Sequence, residues 1–400
     1  MGSRKRHIVF VLLCAYIFIG AKSSFAQPKN KNYEIEARAH FGYLYFQNDE
    51  SHSALGRYSR HAPAFELSLH RNTYGQHRWE VLHNYPSIGL TFYYSPLAFH
   101  NDAVAKELGQ VFALYPFINF PFNANERSRG TFKLGVGLGY LTNKFDPKEN
   151  YHNYAIGSHL NAAINLSFEY RQRIVERLTW VSSVGLTHFS NGATRSPNMG
   201  INIFSVATGL SWYLEKAKTF SDKRLRPVPY SFEFDGRQHF ITDVQYTIGY
   251  KDISQQYGTN NFYLVHDLAA NFMFQITERD RLGIGIEAVW DNSDRVKAPY
   301  YKAFLKPAGL IAYEMMLDRV SFMFNVGIRK NAPGSKMAFL FYQKVGLRYY
   351  VTDGLFTSLS FTTYDIKADF ISIGIGYHFQ HKYYLPKHEK KSHRSPVFPR

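Results

Sequence analysis

The sequence predicts an all-β protein, an antiparallel outer-membrane β-barrel with about eight strands in each half of the chain. Two observations lead to this prediction. Apolar and polar residues alternate with a period of two in many segments. Aromatic residues make up 17% of the chain, as expected for the aromatic girdles of a membrane barrel. The alternative interpretation of the same alternation is a secreted β-sandwich.

The N-terminus has the three parts of a secretory signal peptide. Basic residues at positions 4–6 precede an apolar run from Ile8 to Gly20, and Ser24-Phe25-Ala26 supplies the small residues of a cleavage site. We therefore expect a leader at 1–26 and an exported protein. The single cysteine, Cys14, lies in that leader, which excludes disulfides and thiolate metal sites from the mature chain.

Beyond the leader, charged or polar residues interrupt every run that approaches the roughly 20 apolar residues of a spanning helix. A helical inner-membrane protein is therefore disfavoured. The formal net charge of +16 predicts a polyanionic partner. For an exported chain that partner is phosphorylated lipopolysaccharide among the outer-membrane lipids, and not nucleic acid.

The clearest predicted strand ends at Tyr170. One of its faces carries apolar side chains and the other mostly polar or small ones; the first consists of Leu160, Ala162, Ile164, Leu166 and Phe168. A glycine series at positions 135, 137 and 139 superficially resembles a phosphate-binding loop, but it lies within a strand pattern with no helix after it. We interpret these glycines as small residues facing the lumen of a narrow, filled barrel.

About eight such segments lie between Tyr33 and Leu214, and about eight more between Tyr230 and Phe379. The basic, proline-containing segment between them is too long for a periplasmic turn. We therefore predict two tandem barrels, at 27–216 and 230–380, joined by a linker at 217–229 and followed by a basic tail at 381–400. The alternative is one barrel of about sixteen strands.

The two halves also look like repeats of each other. The segment Glu126-Arg127-Ser128-Arg129 precedes Leu134-Gly135-Val136-Gly137, and Glu278-Arg279-Asp280-Arg281 similarly precedes Leu282-Gly283-Ile284-Gly285. Near the ends of the halves, Val184 to Ser190 aligns with Leu359 to Asp365. Thr363 and Asp365 then align with His188 and Ser190, so we expect the second half to be a non-catalytic copy.

Polar residues interrupt the lipid-facing register at one place. His188 and Ser190 share the face of Val184, and Asn202 in the next predicted strand has the parity of Phe204. Opposed side chains of adjacent strands lie about 5 Å apart, so three polar groups are predicted to meet on the outer face. A serine becomes a nucleophile when a neighbouring imidazole takes its proton, and a third group can orient that imidazole.

The pattern His188-Phe189-Ser190-Asn191, followed by Pro197-Asn198 and Gly200-Ile201-Asn202, resembles the lipid A 3-O-deacylase family known as PagL, also called acyloxyacyl hydrolase. The resemblance covers about residues 31–216. It implies an eight-stranded outer-membrane barrel with a serine esterase site that faces the outer leaflet.

The resemblance also implies residue roles. Ser190 would be the nucleophile, His188 the general base, and Asn191 a contributor to oxyanion stabilisation. We place Asn198 with Asn191 in oxyanion stabilisation or substrate positioning, and Arg195 as a partner of lipid A phosphates. The third catalytic position holds Asn202, whereas the family pattern has a glutamate there. No cofactor and no metal are implied.

The sequence thus predicts an esterase that removes an ester-linked acyl chain from lipid A. The rival interpretation is a non-enzymatic outer-membrane barrel, either a channel or a structural protein, that retains a relic site. Whether the protein forms a homodimer, and which acyl position it cleaves, stays open at this point.

Overall fold

The computed structural model describes residues 33–46, 60–75, 77–97, 103–124, 127–215, 239–253, 262–297, 305–331, 338–364 and 367–382. The predicted signal peptide and linker lie outside these ranges. The last strand runs to Lys382, two residues beyond the predicted barrel end at 380, and the rest of the predicted basic tail lies outside the described residues.

The described chain is built almost entirely of β-strands. In order they are β1 (Tyr33–Tyr45), β2 (His61–Asn72), β3 (Ser87–Ser95), β4 (Val111–Ala124), β5 (Ser128–Leu141), β6 (Leu160–Val175), β7 (Leu178–Ser190), β8 (Ile201–Tyr213), β9 (His239–Asp252), β10 (Phe262–Gln275), β11 (Asp280–Asp291), β12 (Leu305–Leu317), β13 (Val320–Lys330), β14 (Phe339–Tyr350), β15 (Leu355–Tyr364) and β16 (Lys367–Lys382). Three short helices are α1 (Arg78–Leu82), α2 (Ala103–Leu108) and α3 (Asp294–Lys297). Within the described stretches, no helix has both the length and the apolar character needed to cross a bilayer.

The strands form two closed antiparallel barrels. Strands β1 to β8 close the first barrel through the pairing of β1 with β8, and β9 to β16 close the second through the pairing of β16 with β9. The prediction of two tandem eight-stranded barrels is confirmed. The single-barrel alternative is wrong, because β1 pairs with β8 and not with β16.

Each barrel turns its apolar side chains outward. In β1, Ile35 and Phe41 are 45% and 57% exposed, whereas the alternating Glu34 and Glu36 are buried. Because successive side chains of a strand point to opposite faces, the same alternation that would bury apolar residues in a soluble protein here presents them to lipid.

Buried ion pairs occupy the lumen of the first barrel. Arg38 lies between Glu66 and Glu169, with its Nη1 donating to Glu169 Oε1 at 2.9 Å. Arg171 Nη2 lies 2.7 Å from Glu34 Oε2. Breaking such a pair leaves an uncompensated buried charge and costs about 3–5 kcal/mol. The expectation of small lumen-facing residues was therefore incomplete, because long charged side chains also occupy this space.

The glycine series has the structural role that the sequence predicted. It lies in β5, and a Cβ added at Gly135 would come within 2.6 Å of the Tyr115 ring. One added at Gly139 would come within 2.7 Å of the Phe189 ring. These glycines therefore make room for two aromatic side chains inside the first barrel.

The lumen of the second barrel is organised in the same way. Lys344 Nζ lies 2.6 Å from Asp267 Oδ2, Arg348 Nη1 lies 2.6 Å from Asp243 Oδ2, and Arg329 Nη2 lies 3.1 Å from Glu287 Oε2. All of these side chains are buried. Both barrels thus have charged interiors in which acids and bases are paired.

One part of the predicted repeat is wrong. The charged segment around Arg129 enters β5, the fifth strand of the first barrel, whereas the segment around Asp280 enters β11, the third strand of the second. Both segments lead into a glycine-containing strand, so they share a local task but not a position in the barrel. The other predicted correspondence, in which the segment from Val184 aligns with the segment from Leu359, fits the topology, since β7 and β15 are each the seventh strand of their barrel.

The barrels contact each other near α1. Arg78 Nη2 lies 2.5 Å from Glu278 Oε2, and Arg279 Nη1 donates to the carbonyl oxygen of Leu82 at 3.0 Å. His83 Nε2 donates to the carbonyl oxygen of Met316 at 2.8 Å. The connection between β2 and β3 of the first barrel is therefore hydrogen-bonded to the β10–β11 turn and to the end of β12 in the second.

Candidate active site

The site lies at one edge of the first barrel, where β7 ends and the neighbouring β8 begins. The strand register pairs His188 with Asn202 directly. Phe189, next to His188, and Ile201, next to Asn202, are both fully buried in the lumen. Because successive side chains of a strand point to opposite faces, those of His188 and Asn202 point to the outer face. The face and the juxtaposition that the sequence predicted for these two residues are both present.

His188 is held by Asn202. Its Nδ1 donates to Asn202 Oδ1 at 2.7 Å, which fixes the proton on Nδ1 and leaves Nε2 as the basic nitrogen of the ring. Gly200 lies against the same ring, because a Cβ added there would be 2.8 Å from His188 Cε1. The imidazole is thus oriented by an amide on one side and confined by backbone on the other.

Ser190 is held by the loop that follows it. Asn198 Nδ2 donates to Ser190 Oγ at 2.9 Å, and the backbone N–H of Gly192 donates to the same oxygen at 3.2 Å. Among the described residues, no direct hydrogen bond joins Ser190 to His188. Catalytic hydrogen bonds are often long or poorly aligned before substrate binds.

The loop of residues 191–200 between β7 and β8, the β7–β8 loop, is ordered by its two asparagines. The Asn191 N–H donates to Asn198 Oδ1 at 3.0 Å. The side-chain Nδ2 of Asn191 donates to Ser158 Oγ at 3.0 Å and to the carbonyl oxygen of Arg195 at 2.9 Å. The structure therefore brings Asn198 to the serine, while the amide of Asn191 ties the loop together. Arg195 lies exposed on this loop.

Sequence reasoning assigned no role to two glycines of this site. Gly192 and Gly200 have φ angles of +64° and +77°, in the left-handed region that favours glycine. They bound the segment that carries Asn198, and Gly192 also supplies an N–H to Ser190. The sequence shows two glycines that flank a proline-containing turn, but it does not show that their φ angles are positive.

The corresponding position in the second barrel has no comparable group. Thr363 lies near the end of β15, and its Oγ1 donates to Gln343 Oε1 at 2.8 Å. Asp365, which aligns with Ser190, lies outside the described residues. In the part of the chain that the structure describes, no three His, Cys, Asp or Glu side chains are grouped as a metal site.

The comparisons with known proteins divide the chain at the same place as the fold. Residues 64–211 match the family described as lipid A 3-O-deacylase (PagL), and residues 240–382 match the one described as the acyloxyacyl hydrolase C-terminal domain. Together these matches account for most of both barrels.

Similar solved structures include the outer membrane enzyme PagL, which is 16% identical, with 44% of this chain and 97% of that chain covered and a TM-score of 0.30. OccAB4 of Acinetobacter baumannii is 8% identical, covers 89% of this chain and 99% of its own, and has a TM-score of 0.27. OccK3 of Pseudomonas aeruginosa is 8% identical, with 89% and 97% covered and a TM-score of 0.23. No curated protein matches the sequence.

Proposed function

Because the chain belongs to the lipid A 3-O-deacylase (PagL) family of bacterial outer-membrane proteins, we propose that its first barrel is a serine esterase that removes an ester-linked acyl chain from lipid A. The observation that carries this proposal is the 2.7 Å hydrogen bond from His188 to Asn202 beside Ser190 on the outward face of β7. A base, its orienting group and a nucleophile lie at one strand end.

In the proposed reaction, Ser190 Oγ attacks the carbonyl carbon of the ester while His188 Nε2 takes the hydroxyl proton. The ester C–O bond then breaks, and the imidazolium returns the proton to the leaving alcohol oxygen of lipid A. Water next attacks the acyl-serine carbonyl while His188 takes one of its protons. The bond between the acyl carbon and Ser190 Oγ then breaks, and the imidazolium returns the proton to that oxygen, which releases a fatty acid and restores Ser190. Asn202 holds the ring in the tautomer that both steps need.

Two donors are placed to stabilise the oxyanion. The Asn198 amide and the Gly192 N–H already lie 2.9 and 3.2 Å from Ser190 Oγ, next to the place where the carbonyl oxygen becomes charged. Losing one donor from an oxyanion hole typically costs about 10²–10³ in kcat. We therefore assign oxyanion stabilisation to Asn198 and Gly192, and loop support to Asn191.

The position of the site suits a substrate of the outer leaflet. The β7–β8 loop is at the same end of the first barrel as the long β1–β2, β3–β4 and β5–β6 connections, whereas the opposite end includes the two-residue turn between β6 and β7. Outer-membrane barrels have short turns at the periplasm and longer loops outside. The exposed Arg195 can then pair with lipid A phosphates.

The channel alternative has less support from the lumens. A water-filled pore needs an open interior, whereas buried ion pairs such as Arg38–Glu66 and Lys344–Asp267 lie inside the two barrels. A structural barrel with a relic site differs from the esterase in activity, and the lipid A processing of the wild-type chain separates the two. Homodimer formation is not needed for the proposed chemistry, and size measurement in detergent tests whether it occurs.

The test is mass spectrometry of lipid A from cells that produce the protein, its Ser190→Ala variant, or neither. We expect the wild-type chain to remove one acyl chain and the variant to leave lipid A as in cells without the protein. Heat-modifiable migration in gels should show that the variant barrel is folded. Unaltered lipid A processing by Ser190→Ala would contradict the serine mechanism, and no processing by the wild type would favour a relic.

A further inference from the structure

The β7–β8 loop is hydrogen-bonded to the second barrel. The N–H of Asp252, the last residue of β9, donates to the carbonyl oxygen of Ala193 at 2.9 Å. The N–H of Ser196 donates to Asp252 Oδ2 at 3.2 Å, and Ser196 Oγ donates to the carbonyl oxygen of Asp252 at 2.8 Å. Three hydrogen bonds therefore join this loop to one residue of the non-catalytic barrel.

An apolar contact lies beside these hydrogen bonds. A Cβ added at Gly192 would lie 3.2 Å from both Ile371 and Phe361, which face each other across β15 and β16. Ile371 is only 6% exposed, whereas Ile373 further along the same face of β16 is 43% exposed. The first barrel thus covers the outer end of a face that is otherwise exposed.

The β7–β8 loop, which makes these contacts with the second barrel, also holds the proposed nucleophile. Gly192 contacts the second barrel and donates its N–H to Ser190 Oγ, and Asn198 lies two residues after the bonded Ser196. Displacing a catalytic group by about 1 Å can cost about 10²-fold in rate. Whatever fixes this loop therefore fixes the geometry of both oxyanion donors.

We propose that the second barrel positions the β7–β8 loop for hydrolysis at Ser190, with Asp252 and the Phe361–Ile371 pair as positioning residues. The inference rests on the proposed function of the first barrel. It assigns a defined part in the reaction to the second barrel, although that barrel lacks a nucleophile and a base. It also explains why a catalytic and a non-catalytic barrel are carried on one chain, because the site is fully ordered only when both are folded.

The test compares two kinds of inter-barrel contact in the full chain. Asp252→Ala removes a bond to the loop and Phe361→Ala removes the apolar contact, whereas Glu278→Gln weakens the ion pair with Arg78 far from the site. With lipid A in detergent micelles as substrate, we expect each of the first two variants to lower kcat by about tenfold with little change in KM, less than loss of an oxyanion donor. Glu278→Gln should keep the wild-type values, and Asp252→Asn, which retains an acceptor, should stay close to them.

A second measurement does not depend on activity. Hydrogen exchange of the Asn191 and Gly192 amides reports the order of the loop directly. We expect faster exchange at these amides in Asp252→Ala and Phe361→Ala, but not in Glu278→Gln. If the first two variants change neither kcat nor exchange, or if Glu278→Gln changes both equally, the inference is wrong. A lipid A activity that survives Ser190→Ala would overturn the proposed function alone, since the exchange result would still stand.

Discussion

Asn202 is the residue at which this site departs from the pattern of the family. Its amide oxygen accepts the Nδ1 proton of His188 at 2.7 Å, and in the proposed mechanism it performs the orienting task of a third catalytic member. It carries no charge, however, and cannot stabilise the imidazolium as a carboxylate does. In the proposed mechanism the site therefore orients the base for proton transfer but lacks the charge stabilisation that a glutamate would supply.

We expect Asn202→Glu to preserve or raise the initial deacylation rate, because a carboxylate both orients the ring and stabilises its charged form. Asn202→Ala should lower the rate by about five- to tenfold, the equivalent of one lost hydrogen bond of about 1 kcal/mol. Rates of lipid A hydrolysis by the three purified forms provide the comparison. If Asn202→Glu is inactive and Asn202→Ala keeps full activity, another residue orients His188.

Residues within the strands were predictable because the period of a strand is fixed. His188 and Ser190 were assigned to one face from spacing alone, and Asn202 followed from the parity of Phe204. The contact between Asn198 and Ser190 did not follow from any period. It depends on the path of the chain between Gly192 and Gly200, where both φ angles are positive.

At the scale of elements, the β7–β8 loop makes strict demands on its backbone. Gly192 combines a positive φ angle with close approach by Phe361 and Ile371. A side chain at this position would meet both a strained conformation and a neighbouring barrel. The strands on either side impose no such requirement, since their outer faces accept apolar residues of many shapes.

We expect Gly192→Ala to lower activity by about 10²-fold while both barrels stay folded. An L-residue in the left-handed region costs about 1–2 kcal/mol, and the added methyl group pushes the loop away from the second barrel. Gly309→Ala is the matched control, because nothing lies within 4 Å of a Cβ at Gly309. Lipid A hydrolysis and heat-modifiable migration are the measurements. Equal activity of the two variants would show that the Gly192 conformation is not needed.

The strands themselves were largely predicted, and the errors have physical reasons. Alternation identified the number of strands per barrel, but it does not state which strand of one barrel corresponds to which of the other. The charged turns before β5 and β11 therefore looked like a repeat, because any turn at a membrane surface favours the same residues. The second barrel was predicted from Tyr230, whereas its first described strand begins at His239.

At the scale of the whole molecule, the two barrels are closed separately but touch at both ends. Neither barrel contributes a strand to the other, so closure of the first needs no residue beyond Tyr213. Their contacts involve loops and turns, namely the Asp252 bonds at one end and the Arg78–Glu278 pair at the other. We therefore expect folding of the first barrel to need only its own strands, whereas full activity also needs the second barrel.

We expect residues 27–216, expressed with the leader, to fold as a self-sufficient barrel, because its eight strands close on themselves and ion pairs occupy its lumen. Without the second barrel, its kcat should be lower than that of the full chain. Heat-modifiable migration and lipid A hydrolysis of the two forms provide the comparison. Insertion of the fragment only when residues 230–382 are also present would show that the first barrel is not independent.

The charged lumens also bear on how the chain reaches the outer membrane. In β1, Glu34, Glu36 and Arg38 alternate with outward-facing residues, so the unfolded strand never offers a continuous apolar stretch. A stretch of about 20 such residues would be retained in the inner membrane during secretion. The acids and bases that neutralise each other inside the finished barrel thus also act earlier, when they keep each strand polar enough to be released into the periplasm.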